Sequence, residues 1–317
     1  MPAAMPRVRI IYDVDGWAYH RRALMLERHA PAGFEFSLAA MAGVTDPHAL
    51  VGDEPFDLLL LMARRDTAPI GEVIAARGWS ARLVVNWSVG WPHHRESLLA
   101  AYRSADAVIL TNRGYWEALG RLPRTCFISN GVDFGCFGLR SPLRDRAPRV
   151  LWTGSFHHRR RKGYDRFVLP LARALRARGI DCDLLLVDSD RGGSLTQDQM
   201  ARWYNTGTVL VCASDTEGTP NPALEAAACG CTVVSTPVGN MPELIRHGEN
   251  GYLVERSLPA MVQAVIDACE RHLPLAERMQ IDIATWDWAS RIAAYFEVFG
   301  RVLAAPSRSA TLALNER

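Results

Sequence analysis

Residues 209–230 have the sequence VLVCASDTEGTPNPALEAAACG. The apolar run from Val209 to Ala213 predicts a buried strand, and Asn221 followed by Pro222 predicts a helix start with Asn221 as its N-cap. A strand that leads through a short loop into a helix is the repeating unit of a parallel sheet. The helix start then lies at the carboxyl edge of the sheet, where phosphorylated ligands bind in doubly wound folds.

The same alternation of strands and helices extends along the chain and predicts an α/β protein with two sets of strands. The predicted strands are 8–12, 34–38, 57–62, 83–86, 107–111 and 126–129 in the first set, and 150–153, 183–188, 209–213 and 232–236 in the second. The polar segment SPLRDRAPR at 141–149 predicts a linker. The predicted division is therefore a domain over 1–143, a second over 144–285, a terminal helix over 286–303 and a flexible tail over 304–317.

Two glutamates flank the turn before the predicted helix at 222–229, Glu217 in the loop and Glu225 in the first helical turn. Pro220 and Pro222 donate no hydrogen bond, so the other amides of the turn and the helix start are expected to face a ligand. Carboxylates accept hydrogen bonds from sugar hydroxyls, so the pattern favours a ligand with both phosphate and hydroxyl groups. The alternative is that Glu225 only favours the helix dipole and Glu217 is a solvated loop acid. The amides that are expected to face the ligand are those of Gly218, Thr219, Asn221, Ala223 and Leu224.

A basic segment follows the first strand of the second set, in RVLWTGSFHHRRRKGYD at 149–165. It contains Lys162, the only lysine of the chain. Concentrated positive charge at a carboxyl edge suits a diphosphate that gains negative charge as it leaves. The alternative is an ordinary solvated basic loop.

These residues belong to an ordered series of motifs in which the C-terminal half resembles the retaining GT-B glycosyltransferases of family four. The resemblance implies two Rossmann-like domains with parallel sheets that face each other across a cleft, and transfer of a sugar from a nucleotide diphosphate sugar. It covers about residues 126–303. The motifs are NGVD at 130–133, KG at 162–163, EGTPNPALE at 217–225, ACG at 228–230, PVG at 237–239, PELI at 242–245, GENG at 248–251 and Trp286.

The resemblance also implies roles for single residues. Lys162 would hold the donor diphosphate, Glu217 would lie against the transferred sugar, and Glu225 would accept the ribose hydroxyls. Gly154 matches a donor-site glycine that relatives follow with an arginine. Ser155 stands in that arginine's place, so Arg160 or Arg161 would supply the charge. The reaction would retain anomeric configuration and need no metal and no cofactor.

The N-terminal half is less informative. Gly16, in the loop after the first strand, matches a glycine that relatives place against the donor phosphate, and a simple turn glycine is the alternative. Asp13 and Asp15 form a DxD pair, a common accidental pattern, and no metal site is assigned to them. Four side chains could line an acceptor pocket or pack between domains, and they are Trp87, Trp91, His93 and His94.

Composition limits the remaining possibilities. The 317 residues carry 36 basic and 34 acidic side chains, for a formal charge of +2, so binding to nucleic acid through global charge is not expected and a nucleic-acid acceptor is a minority alternative. The apolar run at 58–63 is too short to span a bilayer, and the N-terminal residues lack the apolar core of a signal peptide. We therefore expect a cytoplasmic protein without stable membrane insertion. The seven cysteines lack CxxC spacing, which favours free thiols.

Three functions fit the sequence. The first is a retaining glycosyltransferase with an unidentified acceptor, which could be a glycan, a small molecule or modified nucleic acid. The second is a GT-B nucleotide-sugar epimerase, and the third is a noncatalytic protein that binds a nucleotide sugar. The presence of both Glu217 and Lys162 favours the first, because a pure binder has less need of residues at the reacting sugar.

Overall fold

The computed structural model describes residues 5–62, 68–88, 94–188 and 195–305, and the chain forms two compact units. The first unit combines Met1–Ser129 with Ala289–Arg317, and the second is Asn130–Trp288. Each unit is an α/β structure built on its own parallel sheet.

The first unit contains a six-stranded parallel sheet with the order β2-β1-β3-β4-β5-β6. Its strands are largely apolar, and β3, LLLLM, is buried at every position because helices cover both faces of such a sheet. The strands are β1 Arg7–Tyr12, β2 Glu35–Ala40, β3 Leu58–Met62, β4 Arg82–Trp87, β5 Ala107–Leu110 and β6 Thr125–Phe127. The helices are α1 Ala18–Arg28, α2 Pro47–Val51, α3 Ala68–Ala76, α4 Arg95–Ser104 and α5 Arg113–Ala118.

The second unit contains a five-stranded parallel sheet with the order β11-β10-β9-β7-β8. Strands β7 and β9 are neighbours, so the loops that follow them lie side by side at the carboxyl edge. The strands are β7 Arg149–Ser155, β8 Asp181–Val187, β9 Val209–Cys212, β10 Thr232–Ser235 and β11 Gly251–Leu253. The helices are α6 Leu169–Arg176, α7 Gln197–Tyr204, α8 Asn221–Ala228, α9 Met241–Leu244, α10 Leu258–Glu270 and α11 His272–Ile283.

The last helix, α12 (Trp288–Ala304), belongs to the first unit from Ala289 onward. The ring of Phe296 packs edge-on against Phe34 and Phe36, with centroid distances of 4.8 and 6.2 Å. Its buried face includes Ile292, Tyr295 and Phe299, the apolar spacing expected of an amphipathic helix.

The units divide at Ser129/Asn130, whereas the sequence predicts a boundary at 143/144. The difference arises because residues 130–146 contact the second unit. The Val132 amide donates to the Trp286 carbonyl at 2.7 Å, and the Trp288 amide donates back to Val132 at 3.3 Å. Arg146, inside the predicted linker, donates to the Cys229 carbonyl at 2.8 Å.

Within the described ranges, no helix combines the length and the apolar character needed to cross a bilayer. The cysteines there are free thiols, and burial raises the pKa of Cys231 to about 12.

Candidate functional site

The two loops singled out by the sequence meet at the carboxyl edge of the second sheet. Lys162 lies in the loop after β7, and Glu217 lies in the loop after β9. Between them is Gly163, whose φ of +72° lies in the left-handed region. A Cβ at this glycine would be only 2.5 Å from the Ala213 carbonyl oxygen, so the close approach of the two loops requires glycine here.

Glu217 is the centre of this site. Its side chain is 8% exposed, and its Oε1 lies 2.6 Å from Lys162 Nζ. Its Oε2 lies 2.9 Å from Arg161 Nη1, which also donates to the Thr216 carbonyl at 2.6 Å. The Ser214 hydroxyl donates a further hydrogen bond to Oε1 at 2.8 Å. A buried carboxylate is therefore held by two cations and one neutral donor.

The charge state of Glu217 follows from these contacts. Burial alone would raise the pKa of its carboxyl group, because the charged form loses hydration. The charges of Lys162 and Arg161, and the hydrogen bonds that both donate, outweigh burial and lower the pKa from 4.5 to about 2. The carboxylate is thus ionised at every pH near neutrality.

Arg161, and not Arg160, joins the site. Arg160 is exposed, and among the described residues its hydrogen bond is made by the backbone carbonyl, which accepts from the Gly163 amide at 3.1 Å. The preceding Arg159 pairs with Asp165 at 3.3 Å on the outside of the loop. The structure therefore separates the basic segment into an outer part and an inner pair, Arg161 and Lys162.

The start of helix α8 differs from the sequence expectation. Pro220 is the N-cap and Asn221 is the first helical residue. The Asn221 side chain does not cap the helix, because its Oδ1 accepts a 2.6 Å hydrogen bond from Asn130 Nδ2, 91 residues earlier. This contact connects the NGVD motif to the turn.

Three of the five amides expected to face a ligand already have acceptors in this turn. The Asn221 amide donates to the Thr219 carbonyl at 2.9 Å. The amides of Ala223 and Leu224 donate to the Pro220 carbonyl at 2.8 and 3.4 Å. Their availability for a ligand is therefore reduced.

The turn at Gly239 and Asn240 packs against the loop that carries Glu217. A Cβ at Gly239, where φ is +58°, would lie 2.7 Å from the Gly218 carbonyl oxygen and 2.8 Å from Pro220 Cδ. The Thr219 hydroxyl donates to Oδ1 of Asn240, which is fully buried, at 2.9 Å. The PVG motif therefore fixes the loop that carries Glu217.

Glu225 has a supporting residue that the sequence analysis missed. The hydroxyl of Tyr204, at the end of α7, donates to Glu225 Oε2 at 2.9 Å. Burial, followed by the charge and hydrogen bond of Glu225, raises the pKa of Tyr204 well above 10, so the hydroxyl remains a donor. Glu225 itself is half-buried and retains an accessible part.

A small pocket lies below the two loops. Gly154 borders it, since a Cβ there would be 2.8 Å from the Trp152 ring and 3.4 Å from Lys162 Cγ. Its polar lining residues are Thr153, Lys162 and Ser214, along with Cys212. The remaining walls are mostly apolar and come from Trp152, Leu210, Val211, Pro220, Pro222 and Ala223.

The residues predicted in the first unit do not form a comparable cluster. Gly16 has φ +75°, and its amide donates to His20 Nδ1 at 2.8 Å. Asp15 accepts from the Tyr12 hydroxyl at 2.6 Å. In the described part of the chain, no three His, Cys, Asp or Glu residues come together as metal ligands.

The structure describes two of the four side chains that could line an acceptor pocket or pack between domains, Trp87 and His94. Trp87 ends β4, is 2% exposed and packs into the core of the first unit, because the strand continues one residue beyond its expected end. His94 is the N-cap residue of α4. Trp91 and His93 lie outside the described residues.

Comparison with known proteins agrees with this geometry. Residues 147–271 match the family model described as "Glycosyl transferases group 1". The sucrose-phosphate synthase of Thermosynechococcus elongatus superposes with a TM-score of 0.72 at 16% identity, over 95% of this chain and all of that one. Anabaena Alr3699/HepE, solved in complex with UDP and glucose, superposes with a TM-score of 0.70 at 15% identity, over 93% and 100%.

The two parallel sheets and these superpositions define a protein of the GT-B fold. Within that class, the segment that matches the group 1 glycosyltransferase model, residues 147–271, contains Lys162, Glu217 and Glu225.

Curated relatives are named D-inositol 3-phosphate glycosyltransferase. The one from Streptomyces bingchenggensis is 43% identical over 65 residues, 20% of this chain and 14% of the relative. The one from Pseudarthrobacter chlorophenolicus is 31% identical over 136 residues, 40% of this chain and 32% of the relative. The matched segments thus span a third or less of these relatives' lengths.

Proposed function

We propose that this protein is a retaining glycosyltransferase that moves a sugar from a nucleoside diphosphate sugar to an acceptor without a metal ion. The observation that carries the proposal is the buried Glu217 carboxylate between Lys162 and Arg161 at the carboxyl edge of β7 and β9. The complex of Anabaena Alr3699/HepE with UDP and glucose supports a nucleoside diphosphate as the leaving group.

The two cations would stabilise the departing diphosphate. When the bond between the anomeric carbon and the diphosphate oxygen breaks, negative charge accumulates on the phosphate oxygens. Lys162 has 14% of its side chain exposed and Arg161 has 35%, so both cations can be reached from solvent. Charge-assisted hydrogen bonds from these side chains would favour the transition state, where the diphosphate carries more charge than in the ground state.

Glu217 would stabilise the opposite charge. Loss of the diphosphate leaves an oxocarbenium-like sugar, and an ionised carboxylate lowers the free energy of that positive charge. The lowered pKa keeps Glu217 ionised, and the Ser214 hydroxyl keeps Oε1 oriented when Lys162 turns to the diphosphate. An acceptor hydroxyl would then bond to the anomeric carbon from the face that the diphosphate leaves and pass its proton to the departing phosphate oxygen, which retains the anomeric configuration.

Glu225 would bind the ribose of the donor. Its carboxylate can accept hydrogen bonds from vicinal hydroxyls, and the buried Tyr204 hydroxyl fixes one of its oxygens. The amides of Gly218 and Thr219 would contact the sugar and phosphate. The acceptor is not assigned.

The proposal is tested by ligand-induced stabilisation and by turnover. The purified protein is screened without metal against UDP, GDP, ADP, CDP, dTDP and their sugar conjugates, because a ligand that binds only the folded state raises the Tm. The donor that shifts the Tm is then assayed for hydrolysis and transfer, with and without EDTA. We expect activity that EDTA leaves unchanged, and loss restored by Mg²⁺ would contradict the metal-independent reaction.

Three variants assign the site. Glu217→Gln and Lys162→Ala are expected to abolish turnover in folded protein. Glu249→Gln is the matched control, because Glu249 also pairs with an arginine, Arg246 at 2.9 Å, in the same unit. Normal turnover of the Glu217 or Lys162 variant would remove the role proposed for that residue. Binding without turnover in the unmodified protein would indicate a noncatalytic binder, and formation of an epimer would indicate an epimerase.

A further inference from the structure

Arg256 occupies a position between the two loops of the candidate site, although no motif of the sequence includes it. It follows β11, and its side chain is 25% exposed. Its guanidinium stacks on the ring of Phe167 at 4.8 Å from the centroid. Phe167 is 6% exposed and lies in the π-helical turn Tyr164–Val168, directly after the Lys162 loop.

One guanidinium contacts both loops. Its Nε donates to the Ala213 carbonyl at 3.1 Å, at the start of the loop that leads to Glu217. Its Nη2 donates to the Arg161 carbonyl at 3.3 Å, next to Lys162. Its Nη1 lies 3.3 Å from Asp215 Oδ1 and forms an ion pair with it. Because the Asp215 side chain is 66% exposed, this ion pair alone contributes little to stability.

The same carbonyl groups hold the loops together. The Arg161 carbonyl also accepts a hydrogen bond from the Asp215 amide at 2.9 Å, and the Ala213 carbonyl oxygen is the atom that a Cβ at Gly163 would meet first, at 2.5 Å. Arg256 thus adds charge-assisted hydrogen bonds to the backbone contacts that fix the separation of the two loops. The 2.6 Å contact between Lys162 and Glu217 depends on that separation.

We infer that Arg256 is a positioning residue that fixes the Lys162 loop against the Glu217 loop and thereby keeps the cation and the carboxylate in register. The consequence for ligand binding rests on the proposed function, whereas the effect on the loops does not. Arg256 contacts neither Glu217 nor Lys162 side chains in the structure, so it acts through the backbone of both loops.

The chain offers a matched control in Arg146. This arginine also joins two loops of the second unit through backbone carbonyls, Gly207 at 3.3 Å and Cys229 at 2.8 Å. Gly207 precedes β9, so these contacts lie at the amino edge of the sheet, opposite the candidate site. Arg146→Met therefore removes a comparable contact without touching the loops of Lys162 and Glu217.

The first measurement is amide hydrogen exchange on the full chain without ligand. Arg256→Met, which keeps the apolar stem, is expected to speed exchange of the Asp215 and Lys162 amides on the order of tenfold, the effect of losing charge-assisted hydrogen bonds. Arg256→Lys keeps the charge but loses the planar fork that donates to both carbonyls, and it should give a smaller increase. Arg146→Met should leave both amides unchanged. Equal exchange in Arg256→Met and the unmodified protein would overturn the inference.

The second measurement is the affinity for UDP and for inorganic pyrophosphate by calorimetry. For the probe that the unmodified protein binds, we expect the affinity of Arg256→Met to be roughly tenfold lower. Arg146→Met should bind the same probe with normal affinity, even if its Tm falls. Normal affinity in Arg256→Met would also overturn the inference. If the unmodified protein binds neither probe and no other nucleotide, the proposed function fails, and hydrogen exchange alone decides the role of Arg256.

Discussion

His272 makes the stability of the second unit depend on pH. It begins α11, is 8% exposed, and its Nδ1 lies 3.4 Å from the Thr232 hydroxyl oxygen. Burial, followed by the positive charge of Arg146, lowers the pKa of His272 from 6.5 to about 4. A hydrogen bond with the Thr208 backbone has a smaller effect in the opposite direction. The imidazole is therefore neutral in the folded protein at neutral pH.

The sign of the effect follows from proton binding. The unfolded chain binds a proton at His272 below about pH 6.5, whereas the folded chain does so only near pH 4, so acid favours unfolding. The full stabilisation is present above pH 6.5 and is lost progressively as the pH falls toward 4. The two pKa values give a loss of about 1.4 kcal/mol at pH 5.5 and less than about 0.1 kcal/mol at pH 7.5.

The assay is urea denaturation of the unmodified protein and of His272→Asn at both pH values. The substitution removes packing at every pH, so the informative quantity is the change in the free energy of unfolding between pH 7.5 and 5.5. The unmodified protein should lose about 1.4 kcal/mol more than the variant over this range. His29→Asn, at an exposed position, is the control and should behave as the unmodified protein does. An identical pH dependence for His272→Asn and the unmodified protein would refute the reasoning.

Two further substitutions test the support of the site. Tyr204→Phe removes the hydrogen bond to Glu225, and nucleotide affinity by calorimetry should fall roughly fivefold, about 1 kcal/mol, whereas Tyr252→Phe should not change it. If the Tyr204→Phe and Tyr252→Phe variants bind the nucleotide with equal affinity, Tyr204 does not contribute to binding. Gly239→Ala adds a Cβ 2.7 Å from the Gly218 carbonyl oxygen, and Gly248→Ala shares the positive φ but has no atom within 4 Å. The free energy of unfolding should therefore fall by about 1–3 kcal/mol more in the first variant than in the second, and equal losses would exclude the clash.

Most of the fold follows from local sequence, because buried parallel strands have to be apolar runs. The runs at 58–62 and 209–212 lie within a residue of their expected bounds. Strand β11 is missed because it is a three-residue segment, GYL, that begins with glycine and gains its stability from pairing with β10. The boundary between the units is likewise nonlocal, since it depends on contacts of residues near 130 with Trp286.

The candidate site is predictable to the extent that it depends on sheet geometry. Neighbouring parallel strands bring their following loops together, so Lys162 and Glu217 are expected to be close. The prediction of Asn221 as the N-cap is wrong because its side chain accepts a hydrogen bond from Asn130, which lies 91 residues earlier. A local sequence pattern does not include such a distant partner. The contributions of Tyr204 and Arg256 also come from tertiary contacts that no short motif encodes.

The reciprocal amide bonds between Val132 and the Trp286–Trp288 segment bring the two ends of residues 130–288 together. The second unit is thus an insertion into the first, whose last helix is synthesised only after the insertion is complete. During translation, the inserted unit can fold while the first still lacks the helix that covers Phe34 and Phe36. A fragment of residues 130–288 should therefore fold as an autonomous domain. Residues 1–129 alone would expose the apolar surface at Phe34 and Phe36 that α12 otherwise covers.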